Sequence, residues 1–137
     1  MKADRVVLDT NVFVSLILNQ SLHELVVWSK DYKATIYTCP ELLTELKDVL
    51  NRVHISKHLT EAPVVYIRFI QSITTEQTID LRFDRAPDLK DNYLFDLAYT
   101  VKSYYLVTRD KPLLNMKQVN KIKIISLNDW KSIMKKS

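Results

Sequence analysis

The chain contains no glycine. Average usage would supply about 7%, or roughly ten residues at this length. Every device built on glycine is therefore excluded: the Walker phosphate loop, the dinucleotide fingerprint and the nucleophile elbow. A phosphate met by this protein must be held by side chains, metal ions or helix N-termini. Cysteine is almost as scarce, and the lone Cys39 excludes an internal disulfide or a zinc site made of cysteine pairs and points to a reducing compartment. Ahead of a helix and with no evident partner, Cys39 reads as a small buried residue rather than a nucleophile. The three histidines, His23, His54 and His58, show no ligand spacing of the helical zinc kind. Long apolar runs are missing as well. Residues 12–18 and 64–70 fall short of the roughly 20 apolar residues that cross a bilayer, and Met1-Lys2-Ala3-Asp4 lacks the shape of a signal peptide. The expectation is a cytoplasmic protein with no membrane association.

What the chain does have is an ordinary globular composition. It is 137 residues long, with 47% hydrophobic and 26% charged residues, which fits one domain over residues 1–137 with a real core. Twenty basic against 16 acidic residues give a net charge of +4, a bias compatible with a polyanionic partner.

The apolar pattern alternates between strand-like and helix-like segments. Arg5-Val6-Val7-Leu8-Asp9 is a near-continuous β-branched and apolar run, as in a strand covered on both faces. Helical spacing follows over Val12 to Leu18 and Leu22 to Lys30, with Ser21 and Glu24 in capping-box register. A second strand is expected over Ala34 to Thr38, then a helix from Pro40 to about Arg52, its proline suited to the first turn. Ile55 to Thr75 reads as helix around Pro63, and Thr78 to Leu81 as a further strand. Asp91 to Lys102 is helical, Tyr104 to Thr108 and Lys121 to Ser126 are strands, and Leu127 to Lys136 closes the chain as a helix. Strands alternating with helices predict an α/β fold with a mostly parallel sheet of about four to five strands and right-handed crossovers.

In such a sheet each helix that follows a strand begins at the strands' C-terminal edge, where these folds bind ligands. Asp9 ends the first strand. Asp110 follows the Tyr104–Thr108 strand by two residues, Asp91 opens the helix before that strand, and Glu45 lies about one and a half turns into the helix after the second. Taken singly, each is an ordinary cap, turn or surface residue. Together they fall on one edge. Glu45 stands out because it sits among Leu42, Leu43 and Leu46, and Asp9 because a charge at the end of a central strand is costly to bury unless paired. Four carboxylates within about 5 Å would repel by roughly 3 kcal/mol per pair at an effective dielectric constant near 20. An oxygen-rich cluster of this kind is what Mg²⁺ or Mn²⁺ prefers, and its usual chemistry is transfer at phosphorus.

Four blocks carry a recognisable pattern: Val7-Leu8-Asp9-Thr10-Asn11-Val12-Phe13-Val14-Ser15, Pro40-Glu41-Leu42-Leu43-Thr44-Glu45-Leu46, Asp88-Leu89-Lys90-Asp91-Asn92-Tyr93-Leu94-Phe95-Asp96-Leu97-Ala98 and Tyr105-Leu106-Val107-Thr108-Arg109-Asp110-Lys111-Pro112-Leu113-Leu114. In this order and spacing they resemble a PIN domain, and more narrowly the PIN-family toxins of bacterial toxin–antitoxin pairs, over essentially the whole chain. The resemblance implies a three-layer α/β/α sandwich and Mg²⁺- or Mn²⁺-dependent endoribonuclease activity. It implies that Asp9, Glu45, Asp91 and Asp110 form the catalytic and metal site, with Asp88 as an additional acid. It further implies Asn11 and Thr108 as groups that orient those carboxylates, with Asp96 facing the site one turn along from Asn92. An RNA substrate, a cognate antitoxin protein and a homodimer are the expected partners.

The chain departs from the family pattern at four places beside the site. Leu89 and Lys90 stand where relatives often have proline and an acid, and Arg109 and Pro112 where they often have glycine and an acid. Both charge changes lower the expected metal affinity. Arg52, Lys57, Lys90 and Arg109 are the candidate RNA contacts; Arg52, His54, Lys57 and His58 could track an RNA backbone, but read more readily as a solvated basic loop. Setting the four site acids aside leaves 20 basic against 12 acidic residues, or +8, a surface suited to RNA or to an acidic antitoxin segment. The alternative function is a catalytically weak PIN domain that binds RNA or protein without cutting. A phosphatase or receiver-like use of Asp9 fits poorly, since the phosphatase motif wants a second aspartate where Asn11 stands.

Overall fold

A computed structural model describes residues 2–80 and 91–136. The expectations for Asp88, Leu89 and Lys90, and the last residue of the 78–81 strand, lie outside the described residues. The elements are β1 (Lys2–Leu8), α1 (Thr10–Leu18), α2 (Glu24–Asp31), β2 (Thr35–Thr38), α3 (Pro40–Leu50), α4 (Val53–Ser56), α5 (Pro63–Ile73), β3 (Thr75–Glu76), α6 (Asn92–Thr100), β4 (Ser103–Val107), α7 (Lys111–Met116), β5 (Gln118–Val119), β6 (Ile122–Ile125) and α8 (Leu127–Lys135).

The strands form one sheet in the order β3-β2-β1-β4-β6-β5. Every neighbouring pair is parallel except β5 with β6. Val6, Val7 and Leu8 are fully buried in succession, as are Leu106 and Val107. Side chains alternate between the two faces of a strand, so consecutive burial means that helices cover the central strands on both sides. The result is the mostly parallel α/β fold that the alternating pattern predicts, in the α/β/α layering that the family resemblance implies. On the helical side of the core, α3 packs against α1, α5 and α6. Trp28 of α2 meets Trp130 of α8 edge-on at 5.5 Å between ring centroids.

The sheet has six strands where four to five are expected, because two pairings are only two residues long. The strand read over 78–81 is displaced: the chain joins the sheet directly after α5, pairing Thr75 and Glu76 with Tyr37 and Thr38. The N–H of Gln77 then makes a last bond to the Thr38 carbonyl at 2.8 Å, and residues 78–80 carry no strand. β5 is the antiparallel arm of a tight hairpin with β6, too short to leave a periodic trace in the sequence.

Two helix starts also differ from expectation. α1 begins at Thr10, two residues early, because Asp9 caps it by accepting from the Thr10 N–H at 2.6 Å. The Ser21–Glu24 capping box does not form. The chain reverses after α1 with Gln20 in the left-handed region at φ 55°, and the Ser21 hydroxyl donates to the Asn19 carbonyl instead. The segment read as helix around Pro63 divides into α4 and α5, with Pro63 in the first turn of α5. The short α7, with Pro112 in its first turn, is an addition to the sequence reading.

With no glycine to use, five of the described residues take positive φ: Gln20, Lys33, Lys102, Lys117 and Asn120. Lys102, at φ 56°, turns the chain from α6 into β4.

Candidate active site

The chain leaves β1 toward β2 on one side of the sheet, whereas β4, the other neighbour of β1, leads toward β6. Adjacent strands whose connections diverge open a crevice at their carboxyl ends, the usual ligand position in an open parallel sheet. Asp9 and Thr108 stand at the two lips of that crevice. The Asp9 backbone N–H extends the ladder to the Val107 carbonyl at 2.8 Å.

Asp9 is only 6% exposed, and each of its oxygens has a donor: Oδ1 accepts from the Thr10 N–H at 2.6 Å and Oδ2 from the Thr108 hydroxyl at 2.7 Å. Burial raises its pKa from 3.8 to about 7, and the negative charges of Asp91 and Glu45 push the same way against the two hydrogen bonds. Asp9 thus senses the charge of two other acids.

Thr108 ties the two strand ends together. While its hydroxyl donates to Asp9, the oxygen accepts from the Asp110 N–H at 3.0 Å and, at 3.5 Å, from the Asn11 amide. The Asn11 carbonyl oxygen in turn accepts from the Arg109 N–H at 3.1 Å. Asn11 therefore holds Thr108 and the Arg109 backbone, and through Thr108 it is linked to Asp9 and Asp110.

Glu45 comes from α3 and is held from two directions. The Thr10 hydroxyl donates to its Oε2 at 3.2 Å, and the Tyr93 phenol, from α6, donates to the same oxygen. Tyr93 is 7% exposed; burial first, and the Glu45 carboxylate second, push its pKa far above the ordinary phenol value, so it remains a donor. The sequence reading missed both Thr10 and Tyr93. The available signal was a phenol among the apolar residues Leu94, Phe95, Leu97 and Ala98 of a buried helix, since a buried tyrosine hydroxyl usually needs a partner.

These groups surround one pocket of about 640 Å³. Asp9, Glu45, Asp91 and Asp110 all line it, as do Thr10 and Asn11. Arg52 and Arg109 line it too, with Val14, Val49 and Pro112 supplying apolar wall. Glu45 and Val49 follow one another at i and i+4, so one stripe of α3 supplies an acid and an apolar contact, and Arg52 lines the pocket from the turn between α3 and α4. Asp96 is buried within α6 and is not among the pocket-lining residues. Lys57 follows α4 and likewise does not line it. His58 faces a different cavity of about 340 Å³, with His23 and Tyr66, so the basic cluster read over residues 52–58 is divided between two places. Cys39 is buried and its thiol is pushed up to about 12, chiefly by burial, as suits a packing residue.

All four titratable donors in the pocket are carboxylates, a set that fits a hard divalent cation rather than zinc or copper. Among the described residues no three Asp, Glu, His or Cys side chains stand close enough together to hold a metal ion as they are placed; the four acids are spread over the pocket walls. No helix among the described residues is long and apolar enough to cross a membrane.

The structure thus places an acid-lined crevice at the switch point of a mostly parallel α/β/α sheet. A family model described as PIN domain matches residues 5–112, and the chain belongs to that family. Its members are generally nucleases that use divalent metal ions. No curated protein matches the chain significantly.

Proposed function

We propose that this protein is a metal-dependent endoribonuclease, the toxin of a toxin–antitoxin pair, with Asp9, Glu45, Asp91 and Asp110 as its metal-holding and catalytic acids. The observation that supports the reading is that four carboxylates, drawn from four separate segments of a PIN-family chain, line one pocket at the carboxyl edge of the sheet. Mg²⁺ or Mn²⁺ bound there would neutralise phosphate charge and lower the pKa of an attacking water.

The protein's own residues do the rest. Thr108 and the Thr10 N–H fix both oxygens of Asp9, so its carboxylate is oriented before any ligand arrives. Asp110 is placed by its N–H on Thr108. Arg52 and Arg109 supply the positive charge that draws the RNA backbone over an acidic floor, and Val14, Val49 and Pro112 give a ribose or base an apolar surface to rest on. In the same reading Lys57 and Lys90 are further RNA contacts, and Asp88 is an additional acid. Cleavage leaves a 5′-phosphate and a 3′-hydroxyl.

The test is incubation of the purified protein with single-stranded RNA and DNA, with Mg²⁺, with Mn²⁺ and with EDTA. Metal-dependent cutting of RNA that EDTA and Asp9→Asn both abolish is the expected result. Binding without cutting in every metal condition would favour a non-catalytic RNA-binding module, the reading toward which Arg109 and Pro112 at the pocket lean. The toxin role is tested by growth arrest on expression, relieved by the product of an adjacent small gene.

A further inference from the structure

Glu45 differs from Asp9 in how its two oxygens are used. Asp9 has one donor on each oxygen. Both hydrogen bonds that reach Glu45 from described residues land on Oε2, from the Thr10 hydroxyl and the Tyr93 phenol. The Thr10 and Tyr93 oxygens are themselves 3.2 Å apart, so the three groups form a closed triangle in the buried wall between α1, α3 and α6. Oε1 has no donor among the described residues.

We propose that Tyr93 is a positioning residue that makes Glu45 a one-oxygen ligand, and so biases the pocket toward Mg²⁺ and Mn²⁺ and against Ca²⁺. This rests on the carboxylates being the metal site. A carboxylate with one oxygen engaged by two donors offers the other oxygen cleanly and cannot easily swing to present both. Mg²⁺ demands near-octahedral geometry with separate single-oxygen ligands, whereas Ca²⁺ takes more oxygens and readily accepts a carboxylate through both. The phenol is suited to the task because it is buried, rigid and rooted on a different helix from the acid it holds, 48 residues away in the chain. A surface side chain on α3 itself would move with Glu45.

The test compares the wild-type protein with Tyr93→Phe, which keeps the ring packed and removes only the hydroxyl, and with Thr10→Val, which removes the second donor. Affinities for Mg²⁺, Mn²⁺ and Ca²⁺ are measured by calorimetry on the metal-stripped protein, without RNA, and folding is checked by circular dichroism. The expected result for Tyr93→Phe is a Mg²⁺ affinity about tenfold weaker, a Ca²⁺ affinity that falls less or rises, and hence a Ca²⁺-to-Mg²⁺ affinity ratio at least about threefold higher. Thr10→Val shifts the ratio the same way by less, and carries the test alone if Tyr93→Phe does not fold. A purely structural role would weaken all three ions together and leave the ratio unchanged, and that result overturns the assignment. Failure of the wild-type protein to bind any divalent ion would overturn the metal site itself and this assignment with it, so the two failures are told apart by the wild-type titration.

Discussion

The floor and the rim of the pocket are built on opposite plans. On the floor, Asp9 is buried with both oxygens bonded, Thr108 holds Asp9 and Asp110 with one hydroxyl, and Glu45 is pinned by Thr10 and Tyr93. On the rim, Arg52 and Arg109 are exposed; Arg109 is fixed at its backbone by Asn11, and the guanidinium beyond it has the reach of a long side chain. A preorganised floor suits groups whose geometry decides chemistry. A loosely held rim suits groups that attract a flexible polyanion and then adapt to it. The lesson is that the floor determines what the pocket can do, and the rim what is brought to it.

Breaking the floor carries the largest effect. Asp9→Asn should lower metal-dependent RNA cleavage by at least about a hundredfold, since losing even a group one step behind a ligand costs about 10- to 100-fold. Circular dichroism should still show a folded protein, and turnover close to the parent's would contradict the assignment of Asp9 to the site.

The floor should also leave its mark on stability. The folded protein holds the Asp9 proton with a pKa of about 7 against 3.8 for an unperturbed group, so protonation favours the native state. That contribution is complete below pH 3.8 and declines as the pH climbs to about 7, by about 4 kcal/mol in all and about 2 kcal/mol between pH 5.5 and 8. In EDTA the parent should lose more stability than Asp9→Asn over that interval, and the mutant should be the more stable of the two at pH 8. Parallel pH profiles in thermal melts would show that Asp9 is not buried as described.

Metal acts on the same charge from the other side. For a dissociation constant near 1 mM, about 10 mM Mg²⁺ should stabilise the parent by roughly 1.4 kcal/mol at pH 8, and Asp9→Asn by much less. Equal shifts in melting temperature for the two proteins would mean that the acids do not act as one site.

The rim gives smaller, separable effects. Arg52→Ala and Arg109→Ala should each weaken RNA binding, measured on an uncleavable substrate, and lower the slope of log affinity against log salt by about 1. Both should keep the Mg²⁺ stabilisation of the parent. A lost Mg²⁺ shift would move these arginines from the rim to the floor. The smallest effect is expected far from both: Lys102→Gly relieves a left-handed residue but loosens the unfolded chain, and should change stability by no more than about 0.5 kcal/mol in a denaturant titration.

Much of this was legible in the sequence because strand and helix phase determine which edge a residue reaches. Asp9, Glu45, Asp91 and Asp110 are each one or two turns at most from a strand end or a helix start, so local periodicity alone brings them to the same side. Tyr93 and Thr10 were not legible as partners of Glu45, since their meeting depends on how α1, α3 and α6 cross. Asp96 shares a helix with Asp91, yet helical phase turns it into the core. The capping box at Ser21 failed because the turn after α1 claimed its hydroxyl first. β5 and α7 are short, and no period develops over two to six residues.

The absence of glycine has a mechanical consequence at the pocket. The segment from Thr108 to Lys111 joins β4 to α7, is stitched to Asn11 and Asp9, and contains no residue of unrestricted backbone freedom. Hinges commonly settle on small residues that tolerate a large change in φ and ψ, and none of the loops around this crevice has a glycine to serve as one. Under the proposed RNA reading, the exposed side chains of Arg52 and Arg109, which can change rotamer on picosecond-to-nanosecond timescales, are better suited to follow different nucleotides than the hydrogen-bonded Thr108–Lys111 segment.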